Sequence, residues 1–93
     1  MPPSHRHMDI CTGHGCYRPR PNAVASPNVF VNNRGQHRVG DAWMRHCCVR
    51  CHGGVGATGS PDVITNNRNS CRIGDRVSCG SNMATGSPDV IIN

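Results

Sequence analysis

A stretch of sixteen residues occurs twice in this chain, and the repeat constrains the fold more than any other feature. Residues 26–41 read SPNVFVNNRGQHRVGD and residues 60–75 read SPDVITNNRNSCRIGD, so nine of the sixteen positions are identical. The opening of the stretch occurs a third time, as SPDVIIN, at residues 87–93. A repeated unit of this kind is a supersecondary element that buries its apolar face only against its neighbours.

Each copy has the pattern of two short strands joined by a tight turn. Residues 29–31, 63–65 and 90–92 are β-branched or aromatic runs that follow a Ser-Pro pair. The sequences Asn-Asn-Arg-Gly (32–35) and Asn-Asn-Arg-Asn (66–69) favour hairpin turns, because Asn and Gly tolerate positive φ. No part of the chain has the apolar spacing of an amphipathic helix. We therefore predict an all-β fold of short strands.

The third copy contains only its first strand, and the N-terminus carries the complementary half. Met8-Asp9 occupies the position where the other copies have Gly-Asp, at 40–41 and 74–75. Half a repeat at each end makes three whole repeats if the ends meet in space. We predict one domain over residues 1–93 with pseudo-threefold symmetry, in which residues 1–7 form a flexible N-terminal end.

The composition indicates that this fold needs stabilisation by disulfides, a bound metal or a partner chain. Hydrophobic residues make up 35% of the 93 residues, with one Trp, one Tyr and one Phe, so a conventional core is thin. The chain has seven Cys and six His, and its N-terminus lacks the apolar segment of a secretory signal. We expect synthesis in the cytosol, where thiols stay reduced. Reduced Cys together with His predicts a metal site more than disulfides.

The repeats align three metal-capable residues. His52 precedes Gly59 by seven positions, and Cys79 precedes Gly86 by the same interval. His14 has the equivalent role in the first copy if residues 17–22 include a four-residue insertion. Pseudo-threefold symmetry brings the three side chains together on the axis, and imidazole with thiolate is a zinc ligand set.

A fourth ligand is expected from the extra chain in the middle copy, between Asp41 and His52. His46 is the first candidate, because six residues allow the loop to fold back onto the same ion. Cys48 and Cys51 are the alternatives, since Cys-x-x-Cys is a strong zinc spacing. One zinc ion is predicted, with iron as the alternative metal because thiolate and imidazole also suit iron.

The remaining Cys and His residues are interpreted as bystanders, with Cys as small buried or surface residues and His as solvated ones. They are Cys11, Cys16, Cys47, Cys71, His5, His7 and His37. A disulfide among Cys47, Cys48 and Cys51 is a lesser alternative. Four protein ligands leave no position for an activated water, so a structural site is predicted and no enzyme. Nucleophilic chemistry at Cys51 or Cys79 is the enzymatic alternative, but no carboxylate is placed to orient a base.

The formal net charge of +5 raises a second class of function, a zinc-dependent nucleic-acid-binding module. This alternative is disfavoured because aromatic stacking residues are nearly absent. Arginine is also scattered through the repeats, at 34, 38, 68 and 72, and does not cluster on one helix.

The repeated segments resemble the PAAR-repeat family. The resemblance rests on Ser-Pro-x-Val-x-x-Asn, with Gly before Ser in two of three copies, followed by a turn and an Arg-x-Gly-Asp step, and it covers residues 8–93. The matching segments are 25–32 with 38–41, 59–66 with 72–75, and the closing 86–93. The Pro-Ala-Ala-Arg stretch that names the family is replaced here by Gly-Gln-His-Arg (35–38) and Asn-Ser-Cys-Arg (69–72), which keep only the arginine.

The resemblance implies a small cone of short β-strands, stapled near its apex by a zinc ion on three His and one Cys. Transferred to this chain, those ligands are His14, His46, His52 and Cys79. The base of such a cone caps the trimeric β-helical spike of a contractile injection machine, with apolar strand ends such as Val29, Ile64 and Ile91 against the spike.

The same resemblance implies partners and a location. The partner is a phage central spike or a VgrG-like spike protein of a type VI secretion system, and the target membrane is pierced transiently. Neither nucleic acid nor a small-molecule substrate is expected. The lack of an extension favours a phage tail baseplate, with the protein at the virion tail tip after assembly in the host cytoplasm. The alternative is a type VI spike tip or effector adaptor, secreted by that machinery.

Overall fold

The computed structural model describes residues 2–93, which form six short strands in three antiparallel pairs. The strands are β1 (Phe30–Val31), β2 (Arg34–Gly35), β3 (Ala42–Cys48), β4 (Arg50–Val55), β5 (Ile64–Thr65) and β6 (Arg68–Asn69). β1 pairs with β2, β3 with β4 and β5 with β6. Residues 2–93 contain no helix that is long and apolar enough to cross a bilayer. The all-β prediction is confirmed, and the molecule is elongated, with extents of 37 × 23 × 22 Å.

The two Asn-Asn hairpins form as predicted, with strands shorter than expected. The φ angles are 51° and 65° at residues 32–33, and 52° and 65° at residues 66–67. Two consecutive positive φ angles are typical of a type I′ turn, whose twist matches that of the flanking strands. The third run, at 90–92, makes a single bridge between Ile91 and Pro3.

The two chain ends meet and complete the third repeat. The Ser4 amide donates to the Val90 carbonyl at 2.9 Å, and the Ser87 amide donates back to the Ser4 carbonyl at 2.8 Å. Ser4 and His5 have no exposed surface. The prediction of a flexible end over residues 1–7 is therefore wrong for residues 2–7, because this segment supplies the second strand of a repeat. Met1 lies outside the described residues.

Three backbone hydrogen bonds form a closed ring where the repeats meet. The His5 amide donates to the Cys71 carbonyl at 3.0 Å, the Cys71 amide to the His37 carbonyl at 2.9 Å, and the His37 amide to the His5 carbonyl at 3.1 Å. All three side chains are fully buried. The expectation that His5 and His37 are solvated is wrong, because both occupy the central position that the repeat assigns to Cys71. His7 is half-buried.

The buried imidazoles are hydrogen-bonded as neutral rings. His37 Nδ1 lies 2.9 Å from the Val24 carbonyl, which only accepts, so Nδ1 carries the proton. Its Nε2 then accepts a hydrogen bond from Trp43 Nε1 at 3.1 Å. His5 makes the equivalent Nδ1 bond to the carbonyl of Thr85, at 2.7 Å, and stacks on the Trp43 ring. A second proton on either ring has no acceptor in these arrangements.

An Arg–Asp clamp occurs once in each repeat and fixes its turn. The Arg side chain binds the Asp three residues later at 2.9, 2.8 and 3.0 Å, and the Asp also accepts the backbone amide of the same Arg. The three pairs are Arg6–Asp9, Arg38–Asp41 and Arg72–Asp75. Burial acts to raise the pKa of Asp9, but the hydrogen bonds from Arg6 outweigh it and lower that pKa overall.

The residue before each clamp aspartate has positive φ. The angles are 71° at Met8, 90° at Gly40 and 92° at Gly74. The structure thus confirms that Met8-Asp9 is equivalent to the two Gly-Asp pairs. Methionine adopts this conformation at a cost that glycine avoids, so the tertiary structure imposes it at Met8.

The hairpin of β3 and β4 extends from the side of the middle repeat and was not predicted from the sequence. Its inner end packs Trp43 against a small core of Cys11, Cys71, Val77 and Met83. The core is as thin as the composition indicates. Most other buried side chains are polar, and every buried side-chain nitrogen or oxygen of residues 2–93 has a hydrogen-bond partner.

Acid should destabilise the fold through His37. Burial, and then the neighbouring His5, lower the pKa of His37 to about 4, below the 6.5 of an exposed histidine. Between these values the unfolded chain binds more protons, so this contribution is complete above pH 6.5 and is lost as the pH falls towards 4. The loss is on the order of 3 kcal/mol. Urea unfolding followed by Trp43 fluorescence from pH 4 to 8 measures it.

His37→Gln provides the control, since Gln keeps one donor and one acceptor but does not titrate. The titration of His37 itself is absent in this variant, so the variant should show a flatter decline in unfolding free energy below pH 6.5. Equal declines in the two proteins would show that His37 is not responsible.

Candidate metal centre

The four side chains predicted as metal ligands meet at one end of the molecule. One ligand atom from each of His14, His46, His52 and Cys79 lies within 4.8 Å of the others. The Nε2 atoms of His14 and His52 are 3.0 Å apart, those of His46 and His52 are 2.6 Å apart, and Cys79 Sγ is 3.8 Å from His46 Nε2. Tetrahedral coordination with ordinary zinc bond lengths separates ligand atoms by about 3.3–3.6 Å. The cluster therefore has the size of a four-coordinate site, and it can hold a metal ion.

The β3–β4 hairpin supplies two of these residues. His46 in β3 and His52 in β4 are directly opposite each other in the register. Residues opposite each other in an antiparallel pair point to the same face of the sheet. This register brings the two imidazoles together. The additional residues of the middle repeat, between Asp41 and His52, therefore place His46 beside the other three candidate ligands.

Two turns supply the other residues. His14 lies in a turn closed by reciprocal backbone hydrogen bonds with Tyr17, at 3.0 and 2.8 Å. Cys79 precedes Gly80 in the second turn. Gly80 has a φ of 108°, and its backbone amide donates a hydrogen bond to the Val77 carbonyl that closes the turn. We call the end of the molecule formed by these turns and the tip of the β3–β4 hairpin the apex.

The Nε2 atoms of the three imidazoles face one another. His46 Nδ1 lies 2.9 Å from the Arg18 carbonyl, which requires a proton on Nδ1 and leaves a lone pair on Nε2. That lone pair faces His52 Nε2. Partial burial, followed by the nearby His46 and His14 rings, lowers the pKa of His52, which favours the neutral ring. A metal ion binds imidazole through a nitrogen that carries no proton, so this donor set fits a metal ion.

The PAAR motif family profile matches residues 10–85 of the chain. The chain belongs to the PAAR motif family. A comparison with curated protein sequences finds no match. Membership in the family supports a role as a spike tip in a contractile machine, of a phage or of a type VI system, and it agrees with a His/Cys metal site.

Two side chains at this PAAR centre were not predicted from the sequence. The Tyr17 ring packs on the rings of His14, His46 and His52, with centroids 4.8, 4.9 and 4.2 Å away. Ser81 Oγ lies 3.8 Å from Cys79 Sγ and can donate to a thiolate. Neither residue is repeated in the other copies, and Tyr17 begins the segment interpreted as an insertion, so the repeat gave no signal for them.

The alternative fourth ligands are placed in disulfides. Cys48 pairs with Cys16, and Cys51 pairs with Cys47. The expectation of reduced thiols is therefore wrong for these four residues, and Cys16 and Cys47 are not isolated bystanders. Cys11 and Cys71 are free, and of the two positions considered for them, buried or on the surface, both are buried. Burial raises the pKa of Cys71 well above its usual value, so its thiol stays protonated.

The Cys16–Cys48 disulfide reinforces the metal centre. Cys16 follows His14 by two residues, and Cys48 follows His46 by two residues. The bridge thus ties the turn that carries one proposed ligand to the strand that carries another. It closes a loop with a sequence separation of 32 residues, which restricts the unfolded chain as well.

Removing one ligand should release the ion. His46→Ala, His52→Ala and Cys79→Ser should each lower the metal content well below one ion per chain and reduce the melting temperature by roughly 10–20 °C, since metal binding contributes directly to folding. Elemental analysis and thermal unfolding measure both effects.

His7→Ala is the matched control, because His7 is a half-buried histidine outside the cluster, and it should keep the ion. The double variant Cys47→Ala/Cys51→Ala should keep it as well. Retention of metal by His46→Ala with loss in this double variant would contradict His46 as the fourth ligand.

The cysteines should react in two classes. Denatured protein treated with iodoacetamide without reductant should gain three labels, on Cys11, Cys71 and Cys79, and reduced protein should gain seven. Intact-mass spectrometry counts the labels, and peptide mapping identifies the pairs. Seven labels without reductant would contradict both disulfides.

Proposed function

We propose that this PAAR chain is the tip that caps a trimeric β-helical spike through the end of the molecule opposite the apex. We call this end the base; it consists of the β1–β2 and β5–β6 hairpins and residues 87–93. One observation carries the proposal. Phe30, Ile64 and Ile91 occupy the same position in the three repeats, and each is more than half exposed, at 62%, 53% and 54%. Three equivalent apolar side chains on a pseudo-threefold base suit a threefold partner.

In the apolar contact predicted from the sequence, Phe30 replaces Val29. Val29 was grouped with Ile64 and Ile91, but it lies one residue before the equivalent position, which Phe30 occupies at the start of β1. Val29 is also less exposed, at 39%. The proposed apolar contact is therefore Phe30, Ile64 and Ile91.

Hydrogen bonds between successive repeats make the base stiff. In each repeat the loop after Ser-Pro, or the serine itself, binds the Asn that follows the β-branched or aromatic run of another repeat. The pairs are Ser26 with Asn66, Asp62 with Asn93, and Ser87 with Asn32. A base that is already ordered loses little conformational entropy when it binds, which favours affinity.

For the apex we propose a structural zinc ion held by His14, His46, His52 and Cys79, with iron as the alternative. Three imidazoles and one thiolate complete a tetrahedral set, so no coordination position is left for a reacting water. The proposed role is therefore mechanical and not enzymatic. Metal binding and two disulfides rigidify a chain whose apolar core is small.

We propose a phage tail baseplate as the assembly, with the protein at the virion tail tip and the target membrane pierced transiently. A type VI spike tip or effector adaptor, secreted by that machinery, is the alternative. The two systems have different neighbouring genes, a phage spike or tail gene in one case and a type VI cluster in the other. The gene neighbourhood therefore decides between them.

The tip should bind its spike through the base, at one chain per spike trimer. The triple variant Phe30→Glu/Ile64→Glu/Ile91→Glu should weaken the complex by roughly tenfold or more for each residue, because each substitution removes apolar burial. Size-exclusion chromatography with light scattering, using the spike encoded beside this gene, gives the stoichiometry and the loss.

Val49→Glu, at the apex, is the control and should bind like the unmodified protein. Loss of the complex in this variant, with retention in the triple variant, would place the docking surface at the wrong end and overturn the proposal.

A further inference from the structure

Half of the ten arginines are paired with carboxylates and half are not. The ion pairs of residues 2–93 use five arginines and three aspartates: Arg6 and Arg34 with Asp9, Arg38 and Arg68 with Asp41, and Arg72 with Asp75. The remaining carboxylates, Asp62 and Asp89, follow Ser-Pro in the loops of the base. The other five arginines make no ion pair within residues 2–93, and they are Arg18, Arg20, Arg45, Arg50 and Arg76.

Three of the unpaired arginines lie on the segments that carry the candidate metal ligands, and we call them the arginine collar. Arg18 follows Tyr17 and accepts the His46 Nδ1 hydrogen bond with its carbonyl. Arg45 precedes His46 in β3, and Arg50 begins β4 opposite Cys48. All three are exposed. Residues 10–40 and 42–61 contain no Asp or Glu, so no carboxylate on these segments neutralises the collar.

Apolar side chains are exposed within the collar. Val49 forms the turn between β3 and β4 with a φ of 66°, and its relative exposure is 106%. Met44 in β3 is 43% exposed. A β-branched residue with positive φ at a turn is unusual, because glycine or asparagine fits there without strain. An apolar tip ringed by cations has the chemistry of segments that enter the headgroup region of an anionic bilayer.

The two disulfides hold this arrangement in place. Cys47–Cys51 joins the strands on either side of Val49, and Cys16–Cys48 ties the segment that leads to Arg18 to β3. The collar arginines are therefore fixed by backbone that cannot spread. Preorganised charges lose less entropy when they bind than charges on a flexible tail do.

We propose that the arginine collar docks the apex on a membrane surface rich in anionic phospholipid headgroups, with Val49 entering between them. The guanidinium groups bind the lipid phosphates. Nucleic acid is the less suitable partner, because the one aromatic ring near the collar, Tyr17, packs on the imidazoles and is not free to stack on bases. The inference rests on the proposed function only for the assignment of the apex as the end that meets the membrane.

Vesicle co-sedimentation tests the proposal. Metal-loaded, oxidised protein should bind vesicles of phosphatidylglycerol and phosphatidylcholine, but not vesicles of phosphatidylcholine alone. Binding should weaken steeply with salt, because the contacts are ionic. Arg45→Gln/Arg50→Gln should lower the partition coefficient by about 25-fold, from roughly fivefold for each arginine.

The matched control is Arg34→Gln/Arg68→Gln, which removes the same number of charges from the hairpins of the base. It should change the partition coefficient by no more than about threefold. Equal losses in the two double variants would show a nonspecific effect of net charge and overturn the proposal. Tighter binding to a duplex or single-stranded oligonucleotide than to the anionic vesicles would overturn it as well.

Val49→Gly separates the apolar contribution from the ionic one. Glycine suits the positive φ, so the hairpin is kept, and vesicle binding should fall several-fold while the salt dependence stays the same. Spike binding measured with the same variants separates the two proposals. If the collar variant loses vesicle binding and keeps its spike complex, the result supports the collar and leaves the capping function unaffected. If the unmodified protein binds vesicles but no spike, the capping function is contradicted and the collar is not.

Discussion

The closed ring of backbone hydrogen bonds between His5, His37 and Cys71 is the constraint on which the rest of the structure depends. The three residues come from remote parts of the chain, and each amide donates to the carbonyl of another repeat. Once the ring is closed, the three Arg–Asp clamps and the three Ser-Pro loops are placed around a common axis. The positions of the apex cluster and of the base are both determined by that axis.

The interior is held together by polar contacts to a degree that is unusual for a folded domain. The Gln36 amide nitrogen lies 3.0, 2.8 and 3.1 Å from the carbonyls of His5, His37 and Cys71, so its two N–H groups are shared among the three. This side chain satisfies carbonyls of all three repeats at once. Burying such groups without partners costs more than the small apolar core can offset, so the fold requires nearly complete pairing. This requirement explains why no buried side-chain nitrogen or oxygen of residues 2–93 is left unpaired.

The sequence predicted the features that the repeat expresses and missed those that occur once. The Asn-Asn turns, the role of Met8-Asp9 and the convergence of His14, His52 and Cys79 follow from aligning the copies. The β3–β4 hairpin, the cover of Tyr17 and the disulfides belong to single copies. Disulfide connectivity in particular depends on which side chains the fold brings together, and spacing does not encode it. Residue type suggests that His5 and His37 are solvated, whereas their equivalence with Cys71 in the repeat is what indicates that they are buried.

The three apolar residues of the base have a consequence for how one chain sits on a partner with true threefold symmetry. Phe30, Ile64 and Ile91 are equivalent in position but not in size. Such a partner would accept the molecule in three rotational settings related by 120°, which its own symmetry makes equal in energy although Phe30 differs from the two isoleucines. The three settings would therefore be equally occupied across a population of particles. An image averaged with threefold symmetry would then show a symmetric base beneath an apex blurred by superposition.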